Sequence, residues 1–240
     1  MPTAPSPPPK PVSEIWRPDL VALPRHTFWR RTFRALIRRI FRLVLWCLTR
    51  PRVRGLENFP ERGPVIIVIN HLGDADAALA AAYFPRLPDA LAKIEMYDFP
   101  IVGKLMHAYG VIWLHRGQPD LRALRAALDG LDQGRVIAIA PEGRYSLIRG
   151  LEEGAGGAAY LALKAKVPVL PVAVTGTENA HVYGSLRRLR RAPVSLTFGE
   201  TFYLDPHPDR HEAVRLGTEQ VMSALADLLP PEYRGVYRDE

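Results

Sequence analysis

Two segments, PVIIVINHLGDAD and RVIAIAPEGRYS, narrow the choice of fold more than any other feature of the sequence. In each, a short run of β-branched and other apolar residues breaks abruptly into small and polar ones. A continuous apolar run of this length, bounded by Gly or Pro, reads as a strand covered on both faces. From Arg52 onward such runs alternate with stretches of helical character. Strands are expected over 65–70, 90–94, 111–114, 135–140, 169–174 and 194–198, and helices over 76–84, 100–108, 119–133, 156–166 and 210–229. The alternation implies an α/β fold, a mostly parallel sheet flanked by helices. Chemistry in such folds gathers at the carboxyl ends of the strands. His71 and Asp76 follow one of the two runs, and Glu142 and Gly143 follow the other.

The charge is unevenly placed. Ten arginines and no acidic residue lie between Val21 and Leu56, so with +7 overall the rest of the chain carries a net −3. Nucleic acid and anionic lipid both attract such a segment. Within it, HTFWRRTFRALIRRIFRLVLWCLTR sets Phe33, Leu36, Ile37, Ile40, Phe41 and Val44 at helical spacing, with arginines between them. This reads as an amphipathic helix with a bulky apolar face and an all-cationic polar face, closed by Pro51. Six arginines between Phe28 and Leu48 oppose a bilayer span, each at roughly 3 kcal/mol near the membrane centre. The expectation is a helix lying in the interface of an anionic leaflet; a surface helix packed on the core is the alternative. Nucleic acid is not an expected partner, since no recognition motif or second basic-aromatic surface accompanies the helix. The Pro-rich start, MPTAPSPPPKP, lacks the apolar core of a secretory signal. The organisation expected is therefore a disordered tail over 1–24, the N-terminal amphipathic basic helix over 25–50, one main domain over 51–230 and a C-terminal tail over 231–240. The single cysteine, Cys47, excludes an internal disulfide and a cysteine metal cluster, and no other metal-ligand set is evident.

The His-x4-Asp spacing occurs twice, in His71–Asp76 and His115–Asp120, so spacing cannot select between them. Context can. His71 is followed by the small residues of LGDADAA, which leave room beside an imidazole. Asp120 directly follows Pro119 and suits the first turn of a helix, where the macrodipole favours a carboxylate; this pair reads as structural. No nucleophilic side chain is evident. Cys47 lies in the basic helix, no Gly-x-Ser-x-Gly elbow appears, and Ser146 has no partner base visible in the sequence.

Taken in order, NHLGDAD, GVIWLHR, PEG and VPVLPVAVTG resemble the blocks of the glycerolipid acyltransferase superfamily, typified by 1-acylglycerol-3-phosphate acyltransferase. The resemblance covers about Arg52 to Tyr203. It implies an enzyme that moves an acyl group from a thioester, on coenzyme A or acyl carrier protein, to a lipid hydroxyl, with no cofactor beyond that co-substrate. It implies that His71 is the general base, steadied by Asp76. It implies that Arg116 and the Glu142–Gly143–Arg144 turn bind the acceptor, the arginine through a bidentate grip on phosphate, and Gly143 is a candidate oxyanion donor. The chain departs from the family pattern in one block. EGRYS stands where Glu-Gly-Thr-Arg-Ser is usual, and Ala155 where a lysine is usual, so two expected cations have moved or vanished; Lys93 and Arg149 are candidates to compensate.

The resulting expectation is a membrane-associated O-acyltransferase acting on a lysophospholipid, first of all 1-acylglycerol-3-phosphate. Its expected partners are an anionic membrane surface, the lysophospholipid and the acyl thioester. It would be a peripheral protein on the cytoplasmic face of the cell membrane. A different lipid acceptor and a non-catalytic membrane-binding module are the alternatives.

Overall fold

The computed structural model describes residues 8–238. The chain enters through α1 (Phe28–Leu48) and β1 (Thr49–Arg54), then alternates. In order come β2 (Val65–Ile69), α2 (Ala75–Tyr83), β3 (Asp89–Lys93), α3 (Val102–Tyr109), β4 (Ile112–Leu114), α4 (Leu121–Asp132) and β5 (Val136–Ile139). The second half adds α5 (Gly157–Ala165), β6 (Val169–Thr175), α6 (Asn179–Arg187), β7 (Ala192–Phe198) and α7 (Arg210–Leu228). The strands form one sheet in the order β1-β7-β6-β2-β5-β3-β4. Every neighbouring pair is parallel except β6 and β7, so β1 and β7 run against the other five.

The two segments that set the fold lie side by side. Strand β2 pairs with β5 in parallel, Val65 opposite Val136 and Val68 opposite Ile139. Val65 to Val68 are fully buried, which explains why this strand shows no polar alternation. Ile66 and Val68 pack into the core beneath α4, α5 and α7, whereas Val65 and Ile67 pack with Phe59, Phe84 and Phe198 on the other side.

Strand β1 and helix α6 were not expected from the sequence. In β1, TRPRVR, exposed Arg50, Arg52 and Arg54 alternate with the inward Thr49, Pro51 and Val53. It is an edge strand whose period-2 pattern is carried by charge, one of the devices that keep edges from pairing with other chains. Helix α4 starts at Leu121 rather than Pro119, because Asp120 is its N-cap and accepts from the backbone N–H of Arg122 and Ala123.

The amphipathic helix exists, but its faces are used in an unexpected way. Arginines point toward the domain. Arg34 is buried; it donates to Asp89, to the carbonyl of Pro88 and to that of Tyr109, and its guanidinium lies 4.3 Å from the Tyr109 ring centre. Arg30 donates to Ala108 O at 3.2 Å and Arg42 to Ala82 O at 2.7 Å. Arg38 donates to Phe84 O. Apart from that of Pro88, which precedes β3, these carbonyls close the C-terminal turns of α2 and α3, where intrahelical donors run out and positive charge is favoured. Much of the apolar side faces outward, with Phe28, Trp29, Leu36, Leu43 and Trp46 each more than half exposed, whereas Leu45 is buried against Leu79, Ala82 and Val194 with Phe41 beside it. An all-cationic solvent face is therefore not what α1 presents, because four of its arginines are tied to the domain. No helix among the described residues is long and apolar enough to cross a membrane.

Asp89 anchors this arrangement. Its carboxylate also accepts from His26 at 2.9 Å and from Arg135 at 3.1 Å. Burial opposes its ionisation, yet these partners hold its pKa below the ordinary carboxylate value. Removing one member of a buried ion pair leaves the other short of compensation. Arg34→Ala is expected to lower the unfolding free energy by about 3 kcal/mol, measured by chemical denaturation; a change within 0.5 kcal/mol, roughly that of an ordinary surface substitution, would refute this role for the pair.

Candidate active site

The loops leaving β2 and β5 meet at the carboxyl edge of the sheet, as their parallel pairing requires. His71 Nδ1 lies 2.8 Å from Asp76 Oδ2. The same oxygen accepts from the backbone N–H of Leu72 at 2.7 Å and of Gly73 at 3.0 Å. Asp76 sits in the first turn of α2 and is almost wholly buried. A carboxylate held by two main-chain amides is an acceptor in this arrangement, so the imidazole donates through Nδ1, and in the neutral ring Nε2 is then the nitrogen that carries the lone pair. Among the described residues Nε2 has no partner, and the His71 side chain is 29% exposed. The imidazole is thus fixed on one side and open on the other, the disposition of a general base.

Glu142 is fully buried and ties the two loops together. One oxygen accepts from the His71 backbone N–H at 3.1 Å, the other from that of Glu152 at 2.9 Å. Ser146 N donates to His71 O at 2.7 Å, closing the contact from the other direction. Burial pushes the Glu142 carboxyl up to about 7, only partly offset by its two backbone donors. Glu142 therefore shapes the site through the His71 main chain.

Several of the residues expected to bind the acceptor are engaged in other contacts. Gly143 adopts the left-handed conformation with φ 72°, but its N–H donates to Ala140 O at 3.0 Å. That amide is engaged in the turn and is not free to hold an oxyanion. Arg144 forms a 2.7 Å ion pair with Glu152 and donates to the carbonyls of Pro8 and Pro9. Arg116 follows edge strand β4, three strands from β2 or about 14 Å at ordinary strand spacing. Its guanidinium is paired with Glu95 at 3.4 Å. Arg149, a candidate compensating cation, is paired instead with Glu178. His115 and Asp120 are bonded at 2.7 Å and largely buried, and His115 Nε2 accepts from the backbone N–H of Arg17. This second pair pins the N-terminal segment and is structural.

One residue was missed. Tyr145 meets the His71 ring edge-on, with centroids 4.2 Å apart. Its hydroxyl donates to Asp74 at 2.8 Å, and Asp74 also accepts from Asn179 and Tyr183. Burial and the Asp74 carboxylate both push the Tyr145 phenol upward, so it stays protonated. The signal was present in the sequence, since Tyr145 occupies the place of an expected arginine, but a substitution does not disclose a ring contact. Ser146 Oγ donates to Gly150 O at 2.6 Å, so it is held in the loop.

The raised pKa of Glu142 carries a sign. The unfolded chain releases this proton near 4.5, whereas the folded chain keeps it to about 7. Its contribution to stability is complete below 4.5 and declines as pH rises toward 7. Between those limits the wild type is expected to lose about 3 kcal/mol relative to Glu142→Gln, read from denaturation curves over the pH series; parallel pH profiles would show that the carboxyl titrates normally.

Comparison with known proteins supplies the setting for this geometry. A family profile described as Acyltransferase matches residues 50–175, which contain His71, Asp76, Arg116, Glu142 and Gly143. The 1-acyl-sn-glycerol-3-phosphate acyltransferase of Pseudomonas aeruginosa is 30% identical over 154 residues, 60% of this chain and 59% of that one. The chain thus spans about three-fifths of that relative's length. The lyso-ornithine lipid O-acyltransferase of the same organism is 31% identical over 215 residues, 79% of this chain and 81% of that one. The crystal structure of the 1-acyl-sn-glycerophosphate acyltransferase from Thermotoga maritima shares the fold with a TM-score of 0.61 at 24% identity, over 83% of this chain and 81% of that chain.

Proposed function

The chain belongs to the acyltransferase family, and from that premise we propose that it moves a fatty acyl group from an acyl thioester to a hydroxyl of a lysophospholipid, with 1-acylglycerol-3-phosphate as the first acceptor. The observation that carries this reading is the His71 imidazole, locked to Asp76 through Nδ1 with Nε2 unpartnered. An alcohol is a poor nucleophile at neutral pH and needs a positioned base during attack. Nε2 takes the hydroxyl proton as the oxygen attacks the thioester carbonyl. Asp76 steadies the imidazolium while the tetrahedral intermediate stands. Collapse breaks the carbon–sulfur bond, and the proton on Nε2 passes to the departing thiolate. Ser146 is hydrogen-bonded within its loop and Cys47 lies exposed on α1, so direct transfer in a ternary complex fits better than an acyl-enzyme.

His71→Ala is expected to lower the rate of thiol release from a long-chain acyl thioester in the presence of lysolipid by a hundredfold or more. His115→Ala, once shown to be folded, serves as the comparison and should retain transfer. Equal losses in both would remove the case for His71 as the base.

A second acceptor class has specific support. Arg116 and Arg144, the cations expected for a phosphate, are each engaged with a carboxylate, and the longer of the two Pseudomonas matches is the one named for a lyso-ornithine lipid. Product analysis across phosphorylated and phosphate-free lysolipids separates the two readings.

The outward apolar side of α1 supports peripheral attachment to a membrane, on the cytoplasmic face if the donor is a cytoplasmic thioester. Insertion would be driven by the bulky side chains, with the remaining exposed arginines contacting anionic lipid. Leu36→Glu combined with Leu43→Glu is expected to reduce sedimentation with anionic liposomes by tenfold or more without altering the melting temperature. Unchanged sedimentation would rule out α1 as the attachment surface.

A further inference from the structure

Helix α6 runs out at GSLRRLRRAP, and from Asn179 to Gly199 the chain has no acidic residue. The turn is closed by the main chain: the Leu189 N–H donates to Leu186 O at 2.9 Å, and the Arg190 N–H donates to Ser185 O at 2.9 Å. This pair of bonds ends a helix by placing one residue in the left-handed region, usually a glycine. Here the residue is Leu189, at φ 51° and 97% exposed. Backbone strain and a bulky apolar group in water meet at one position, and at that exposure packing within the domain offsets neither. Arg187, Arg188 and Arg190 around it are exposed, and their guanidinium groups have no partner among the described residues.

The turn stands at the carboxyl edge of the sheet, the edge that carries the His71 loop. Strand β7 runs against β6 with Ser195 opposite Thr175, the last residue of β6, so Ala192 lies beyond that strand end. On α6 itself, Asn179 and Tyr183 donate to Asp74, which also accepts from Tyr145, the residue against the His71 ring. Arg187 is four residues past Tyr183, about 6 Å along the helix axis. On its other side the turn meets α1. Arg191 donates to Thr49 O at 2.8 Å, and its guanidinium lies 5.5 Å from the ring centre of Trp46, on the outward apolar side of that helix.

We propose that the 187–191 turn is a membrane-docking element. Arg187, Arg188 and Arg190 contact the phosphates of an anionic leaflet, Leu189 inserts among the acyl chains, and the His71 loop is held against the surface that supplies the lysolipid. The proposal rests on the acyl-transfer and peripheral-attachment readings above and adds to them a second contact, distant from α1 in sequence. A bilayer is the occupant that answers both features of the turn. Its surface offers phosphates to the planar guanidinium fork, and hydrocarbon lies just beneath for the leucine. A nucleic-acid backbone would meet the arginines but gives an alkyl side chain at their centre nowhere to go.

Vesicle sedimentation of the full chain is compared for wild type, Leu189→Gly and the triple variant Arg187→Gln, Arg188→Gln, Arg190→Gln, on phosphatidylglycerol and on phosphatidylcholine vesicles. The triple variant should bind phosphatidylglycerol about a hundredfold more weakly, at roughly fivefold per arginine, and phosphatidylcholine as wild type does. Leu189→Gly should bind about tenfold more weakly while its melting temperature rises, since glycine relieves the left-handed residue; a structural role for Leu189 would lower the melting temperature. Unchanged vesicle binding in either variant overturns the proposal, and a triple variant that loses only its affinity for duplex DNA assigns the turn to nucleic acid. Both variants keep α1 intact, so that failure leaves the α1 reading standing, and a failure of the Leu36, Leu43 variant leaves this one standing. Transfer to a long-chain lysolipid in phosphatidylglycerol vesicles should fall with binding in the triple variant, whereas transfer to a short-chain lysolipid below its micelle concentration stays within twofold. An equal loss on the soluble acceptor makes the arginines props of α6 and overturns the proposal. Binding lost as expected, in a protein whose wild type shows no transfer, counts against the acyl-transfer reading alone.

Discussion

A buried carboxylate that, among the described residues, has no ion-pair partner organises the catalytic edge of this protein. Glu142 sits between two loops and accepts one main-chain N–H from each, from His71 and from Glu152. Neither loop could place its residues without the other, because the backbone that carries the imidazole is held by the loop that follows β5. The arrangement follows from strand pairing. Parallel registration of β2 with β5 brings both strand ends to the same level, and a short side chain reaching sideways then suffices to join them. Main-chain amides can hold a carboxylate without competing for the cations nearby.

The orientation of α1 obeys the same economy of unsatisfied groups. Helices α2 and α3 end against it, and their terminal carbonyls need donors that the helices cannot supply. Guanidinium groups provide them from a neighbouring helix, each planar fork able to serve more than one oxygen. Arg34 does this from a buried position and also neutralises Asp89. Leu45 and Phe41 pack on the domain beside Leu79 and Val194, and the larger part of the apolar residues of α1 is left facing outward.

Much of the fold was legible. Six of the seven strands and five of the helices of the main domain lie within a few residues of their expected positions, because long apolar runs and helical periodicity survive in any context. Strand β1 was not legible, since its alternation is written in arginines and its one apolar partner set includes Pro51. Helix α6 has a weak apolar stripe and exists through its contacts, with Asn179 and Tyr183 reaching Asp74. The contact between His71 and Asp76 could be read from chain order because they are five residues apart, across the turn from β2 into α2. Arg116 could not be placed, since its distance from His71 depends on strand order rather than on sequence. The Pro8–Arg17 segment was hidden for a simpler reason. Composition reports an inability to form helix or strand, and a proline-rich segment can still be ordered when its carbonyls find donors such as Arg144.

The arginines that fasten α1 also fix its rotation about its own axis. A helix bound to a protein by greasy contacts alone can roll, in water, to tuck its apolar side away; this one is held by directional hydrogen bonds at Arg30, Arg34, Arg38 and Arg42 and has no such freedom. Trp29, Leu43 and Trp46 stay uncovered wherever the molecule goes. In lipid-free buffer two copies that meet have a ready contact along that ridge, so clumping of the purified protein, and its relief by mild detergent, would be a by-product of the way the helix is bolted down.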